Sequence, residues 1–120
     1  MKFTESHEWI CVQGDVGTVG ITDYAQAELG TVVHIELPSI GKEIKAGQEV
    51  AVLESTKAAA DVYAPVSGTI VEINQKLCGF AELVNQSAQD RGWLFKIRLD
   101  NPSELTSLLD RSAYEQLISQ

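Results

Sequence analysis

The chain lacks any run of about 18 apolar residues, so no segment of it spans a bilayer as a helix. Basic residues are also scarce, with nine Lys and Arg against seventeen Asp and Glu and a formal net charge of −8. That balance excludes nucleic acid, because neutralising phosphates and releasing their counterions needs a basic surface. It argues equally against docking on an anionic membrane. Cysteine is nearly absent. Cys11 and Cys78 stand far apart with no CxxC pairing, which excludes a disulfide framework. Buried or half-buried thiols in a reducing compartment are expected, with a single bridge between the two as the alternative. The opening Met1–Glu8 has neither the apolar stretch of a secretory signal nor the Arg-rich character of a transit peptide, so a cytoplasmic location is expected. There is no GxGxxG, Walker or GxSxG sequence. His7, His34, Cys11 and Cys78 lack zinc spacing, so no metal is expected.

What remains is a 120-residue chain, 44% apolar, with enough core for one domain over residues 1–120 and too short for a deep multi-domain active site. Its acidic surface suits basic partners.

The pattern is mainly β. Residues 10–22 read as two strands about Gly14-Asp15, with the second strand placing positions 17, 19 and 21 on one face. Thr22 is an N-cap for a short helix near residues 23–29, and Gly30 stands where a C′ glycine stops it. Strand texture resumes from Thr31 to about Tyr63, and Pro65 and Gly68 precede another strand over residues 69–73. Residues 92–99 form a strand with positions 93, 95, 97 and 99 on one face. Asn101-Pro102-Ser103-Glu104 is a near capping box that opens C-terminal helices near residues 102–119. Leu105, Leu108 and Leu109 make one helical stripe there, and Tyr114, Leu117 and Ile118 a second, with a break near Asp110. Trp9 and Trp93 read as packing residues.

A weak repeat runs through this pattern. Gly30-Thr31-Val32-Val33-His34-Ile35 aligns with Gly68-Thr69-Ile70-Val71-Glu72-Ile73, and the same offset sets Gly41 on Gly79 and Gln48 on Gln86. Two such β units point to a quasi-two-fold sandwich, with chance agreement among common strand residues as the plain alternative.

Between two strand-like segments sits Glu54-Ser55-Thr56-Lys57-Ala58-Ala59-Ala60-Asp61. A lysine at a hairpin tip, followed by small residues, is solvated and has no neighbouring cation to lower its pKa. Lys57 therefore suits a modifiable handle better than a nucleophile, with an ordinary exposed turn lysine as the plain alternative.

Glu-Ser-Thr-Lys-Ala at 54–58, followed by Asp-Val-Tyr-Ala-Pro-Val-Ser-Gly at 61–68, resembles the H proteins of the glycine cleavage system. The likeness extends through Ser6-His7-Glu8-Trp9, Gly20–Gln26, Leu29-Gly30, Glu36-Leu37-Pro38, Glu82-Leu83-Val84-Asn85, Gly92-Trp93 and Ser103-Glu104-Leu105. It implies a barrel-sandwich hybrid and lipoate in amide linkage on Lys57. It further implies that the lipoyl-attaching enzyme reads Glu54 and Gly41, and that Ser6, Glu8 and Asp61 line a cleft for the loaded arm. The implied role is a non-catalytic, monomeric carrier. A pyridoxal-phosphate (PLP) glycine decarboxylase loads an aminomethyl group on the arm, a tetrahydrofolate-dependent aminomethyltransferase removes it, and dihydrolipoyl dehydrogenase restores the disulfide. Rival likenesses are weaker: biotinyl domains usually flank the lysine with methionine, and the lipoyl domains of 2-oxo acid dehydrogenases usually precede it with aspartate, where Thr56 stands here. Cys78-Gly79-Phe80-Ala81 and Ala88-Gln89 depart from the family pattern without touching Lys57, Glu54 or Gly41, and a relay that passes lipoyl groups to other enzymes without glycine turnover stands as the alternative role.

Overall fold

The computed structural model describes residues 1–119; residue 120, the last of the single-domain span, lies outside the described residues. Among the described residues, nine strands form two antiparallel sheets. The larger orders β1 (Lys2–Phe3), β2 (Glu8–Gln13), β3 (Val16–Ile21), β9 (Phe95–Leu99), β8 (Gly68–Ile73) and β5 (Glu43–Ile44). The smaller orders β4 (Val32–Glu36), β6 (Glu49–Ser55) and β7 (Ala59–Tyr63). Their apolar faces meet in one core that includes Ile10, Val19, Val32, Leu53, Val62, Ile70, Phe95 and Ile97. Burying these side chains is the main favourable term in holding the two sheets together.

Close packing explains several glycines. A β-carbon on Gly20 would lie 2.8 Å from the Trp9 indole, and one on Gly68 would lie 2.0 Å from the Arg98 carbonyl oxygen. Trp9 is buried, as a packing residue should be, and its indole N–H donates to the Ala88 carbonyl oxygen at 3.0 Å.

The helix α1 spans Asp23–Leu29. Thr22 Oγ1 accepts from the Ala25 N–H, and Gly30, at φ 88°, closes the far end by donating its N–H to the Gln26 carbonyl. Its N-terminal Asp23 N–H donates to Gln89 Oε1 at 2.9 Å, so the unusual Ala88-Gln89 pair has a packing and a capping role. A second short helix, α2, spans Leu83–Gln86, and α3 spans Arg111–Ile118.

The C-terminal helices occupy Pro102–Ser107 and Arg111–Ile118 with a break near Asp110, as the sequence predicts, and Asn101 caps the first, but that first helix differs in kind. Pro102–Ser107 is a 3-10 helix, and Glu104 makes no capping box. Instead its carboxylate accepts the Ser67 N–H at 2.8 Å and the Ser67 hydroxyl at 2.9 Å, a tertiary pair that outcompetes the local one. Leu109 lies beyond that helix and bridges Phe3, while Leu105 and Leu108 pack on the main core. Phe3 stacks on Tyr114 at 4.7 Å, which docks α3. The strand expected over 92–99 begins only at Phe95; just before it the Leu94 N–H still donates to the Val19 carbonyl at 2.8 Å, while the Arg91 and Trp93 carbonyls accept from Asn74 Nδ2 instead of from a strand.

The repeat relates β4 and β8, which lie in different sheets. It does not extend to the glycines or beyond the strands. Gly41 has φ 94° where Gly79 has φ −109°, and Gln86 lies in α2. The thiols correct a further expectation: Cys11 and Cys78 are both free and both exposed. Cys11 points outward because strand alternation sends Ile10, its neighbour, into the core.

Candidate functional site

Lys57 stands in the turn joining β6 and β7, as the sequence pattern required. The ladder pairs Leu53 with Ala60 and Glu54 with Ala59, leaving Ser55 to Ala58 as the tip. Ser55 holds that tip. Its N–H donates to the Ala58 carbonyl at 2.7 Å, and its hydroxyl oxygen accepts the N–H groups of Lys57 at 3.2 Å and Ala58 at 3.0 Å. A short polar side chain bonding to backbone two and three residues ahead stabilises a turn without helical or ladder partners. Lys57 and its neighbours Thr56, Ala58 and Ala59 are exposed, so the amine meets solvent without obstruction.

The tip also rests on the segment after α1. The Thr56 N–H donates to the Thr31 carbonyl at 3.3 Å. A β-carbon on Gly30 would lie 3.3 Å from Lys57 Cε and 4.0 Å from Cδ, so the lysine stem runs along the bare glycine backbone. Behind this segment, Asn85 of α2 accepts the Val32 N–H at 2.8 Å and donates to the Gly30 carbonyl at 2.9 Å. Sequence reasoning placed Asn85 only within a family motif, and nothing local marks it as a partner of residues more than fifty positions earlier.

Beside the hairpin lies a groove of about 470 Å³ lined by Ser6, His7, Tyr24, Ala25, Glu28, Leu29, Ala58 and Ala60. Ser6 thus reaches it. Glu8 does not line it and sits behind Ser6, 1% exposed on β2. Its carboxylate accepts the hydroxyls of Ser6 and Thr4 and the Tyr63 N–H at 3.1 Å. Burial raises its pKa above the ordinary carboxylate value, and these three hydrogen bonds, with the nearby His7, oppose that rise. Asp61 is exposed and outside the groove lining. It follows Ala60 along β7, and strand alternation directs it to the other face.

Glu54 is exposed beside the tip, paired across the sheet with His34 and Ala59. Gly41 is not on the hairpin. It occupies the turn before β5, where its φ of 94° favours glycine and its N–H donates to the Ile70 carbonyl at 2.7 Å. His7, which sequence reasoning weighed as a metal ligand and otherwise placed only within a family motif, is a groove residue with φ 73°. It is fixed there by the Tyr114 hydroxyl, 2.8 Å from Nδ1, and by the Thr22 N–H donating to its carbonyl. No helix among the described residues is long and apolar enough to cross a membrane.

The whole sequence, residues 1–120, matches the family described as Glycine cleavage H-protein. A glycine cleavage system H protein of Caulobacter vibrioides is 54% identical over 118 residues, covering 98% of each chain. One of Thermotoga maritima is 50% identical over 119 residues, covering 99% of this chain and 96% of that one. The crystal structure of a glycine cleavage system H protein from Mycobacterium marinum superposes with a TM-score of 0.90 at 31% identity, covering 99% of this chain and 96% of the other. That match agrees with a barrel-sandwich hybrid.

Proposed function

This chain belongs to the glycine cleavage H-protein family, and on that footing we propose that Lys57 carries a lipoyl group for the enzymes of the glycine cleavage system. The observation that carries the reading is the lysine at an exposed hairpin tip, beside a groove and within a chain similar to named H proteins throughout its length. The relatives' names favour glycine cleavage over lipoyl relay, biotinyl and 2-oxo acid dehydrogenase readings.

The residues present fit the group. An amide on the Lys57 amine is sterically free, and the adjacent groove has room and mixed apolar and polar walls for a chain leading away from it. When bound there, a lipoyl group supplies a disulfide that accepts electrons and the aminomethyl unit. The protein's own part is presentation. Ser55 keeps the tip in one conformation, so each encounter with a partner active site begins from an ordered turn, and tethering makes the local concentration of the arm high. Ser6 donates its hydroxyl proton to Glu8 and therefore turns lone pairs outward, which suits accepting a hydrogen bond from a cationic amine. Glu8 fixes that orientation from behind, while Asp61 adds negative charge on the hairpin. Glu54 and Gly41 are the residues we assign to recognition by the lipoyl-attaching enzyme.

The chain itself is assigned no catalytic group. Glycine decarboxylase, aminomethyltransferase and dihydrolipoyl dehydrogenase are the proposed partners, the cytoplasm the proposed location, and a monomer the proposed state. A net charge of −8 implies basic docking surfaces on those partners and weaker binding as salt rises. The test is exchange of label between bicarbonate and the carboxyl group of glycine, catalysed by the decarboxylase. Exchange that rises with added lipoylated protein supports the reading, and exchange at background overturns it in favour of a relay.

A further inference from the structure

We propose that Asn85 is a positioning residue for Lys57, acting through the backbone of residues 30–32. The inference rests on reading Lys57 as the modified residue, but it concerns where the lysine stem lies before any modification.

The lysine stem has a backrest. It runs along Gly30, where a β-carbon would stand 3.3 Å from Cε, and the hairpin tip is bonded to the next residue through Thr56 N–H and the Thr31 carbonyl. That backrest is not fixed by the sheet alone, because the β4–β6 ladder is irregular between Val32 and His34. Gly30 at φ 88° also has more conformational freedom than any other residue type in its place. Something outside the ladder must hold it.

The Asn85 amide is built for that task. Its Oδ1 accepts the Val32 N–H at 2.8 Å, and its Nδ2 donates to the Gly30 carbonyl and to Gln26 Oε1, both at 2.9 Å. One side chain therefore brackets Thr31 from both sides and satisfies its own two N–H groups in doing so. Among the described residues, no other side chain bonds to the backbone of residues 30–32. Asn85 is in turn anchored by its α2 neighbours Leu83 and Val84, which are 5% and 0% exposed in the main core. The chain of support runs from core to α2, to Asn85, to the 30–32 backbone, to the lysine stem. Order transmitted this way lowers the entropy lost when an enzyme grips the tip, so its removal weakens binding more than chemistry.

The experiment compares wild type with Asn85→Ala, Asn85→Asp, Gln26→Ala and, as a stability control remote from the tip, Ile97→Val. Two readouts are taken on full-length unmodified protein. The first is the nuclear Overhauser contact between Lys57 ε protons and Gly30 α protons. The second is the KM and kcat of the lipoyl-attaching enzyme for each protein. Asn85→Ala should lose the contact and raise KM about tenfold, with kcat changed less than about twofold. Asn85→Asp keeps the Val32 acceptor but sets an oxygen against the Gly30 carbonyl, and should fall in the same direction. It serves as the test if the alanine variant does not fold. Gln26→Ala removes only the bond to the α1 side chain and should resemble wild type. An unchanged contact and KM in both Asn85 variants, or an equal change in Ile97→Val, would overturn the proposal. Failure of the wild type to be lipoylated would instead defeat the carrier reading, and the proton contact alone would then decide the role of Asn85.

Discussion

The buried carboxylate of Glu8 accepts the backbone N–H of Tyr63 at 3.1 Å, which ties the second strand of the large sheet to the base of the lysine hairpin. Its pKa is raised chiefly by burial, against hydrogen bonds from Ser6, Thr4 and Tyr63. The folded chain thus keeps this proton to higher pH than the unfolded chain, and ionising Glu8 weakens the fold. The stability of wild type minus that of Glu8→Gln should fall as pH climbs from the ordinary value of 4.5 through the raised one, then level off. Chemical denaturation across that range measures it, and a rising difference would contradict the assignment. Carbon NMR of the Glu8 carboxyl should show its midpoint move further up in Ser6→Ala.

Glycines separate by what surrounds them. Gly68→Ala sets a methyl 2.0 Å from a backbone carbonyl in the β8–β9 ladder, and should cost about 3 kcal/mol or more. Gly79→Ala meets nothing within 4 Å and has an ordinary negative φ, so thermal denaturation should find it within about 0.5 kcal/mol of wild type.

Both thiols are exposed, so native protein should react with two equivalents of a thiol reagent without denaturant. Cys11→Ser and Cys78→Ser should each remove one equivalent. Reaction only after unfolding would place the thiols inside.

At the tip, Ser55→Ala removes the acceptor for two backbone N–H groups and should destabilise by about 1 kcal/mol. Thr56→Ala should be silent in the same denaturation experiment, since the tip uses only the backbone of Thr56.

Local chemistry made much of this molecule legible. Thr22 and Gly30 bound α1, as the sequence predicts, because capping depends on neighbours a few positions away. The β6–β7 hairpin and its lysine follow from alternation about a small-residue turn. Partners distant in sequence defeated the same reasoning. Glu104 leaves its own helix for Ser67, and Pro102–Ser107 winds as a 3-10 helix. Glu8, expected in a cleft wall, is buried behind it where its carboxylate takes the N–H of distant Tyr63, and Asn85 acquires its role only when α2 meets the end of α1. The hairpin and the exposed lysine at its tip were therefore readable, and the long-range contacts around them were not.

Intact mass tests the central claim most directly. Purified protein is incubated with a lipoyl-attaching enzyme, lipoate and ATP, beside a Lys57→Arg variant of equal thermal stability. Wild type should gain the mass of one lipoyl amide and the variant none. An unmodified wild type, or a variant that gains the same increment, would contradict Lys57 as the carrier residue.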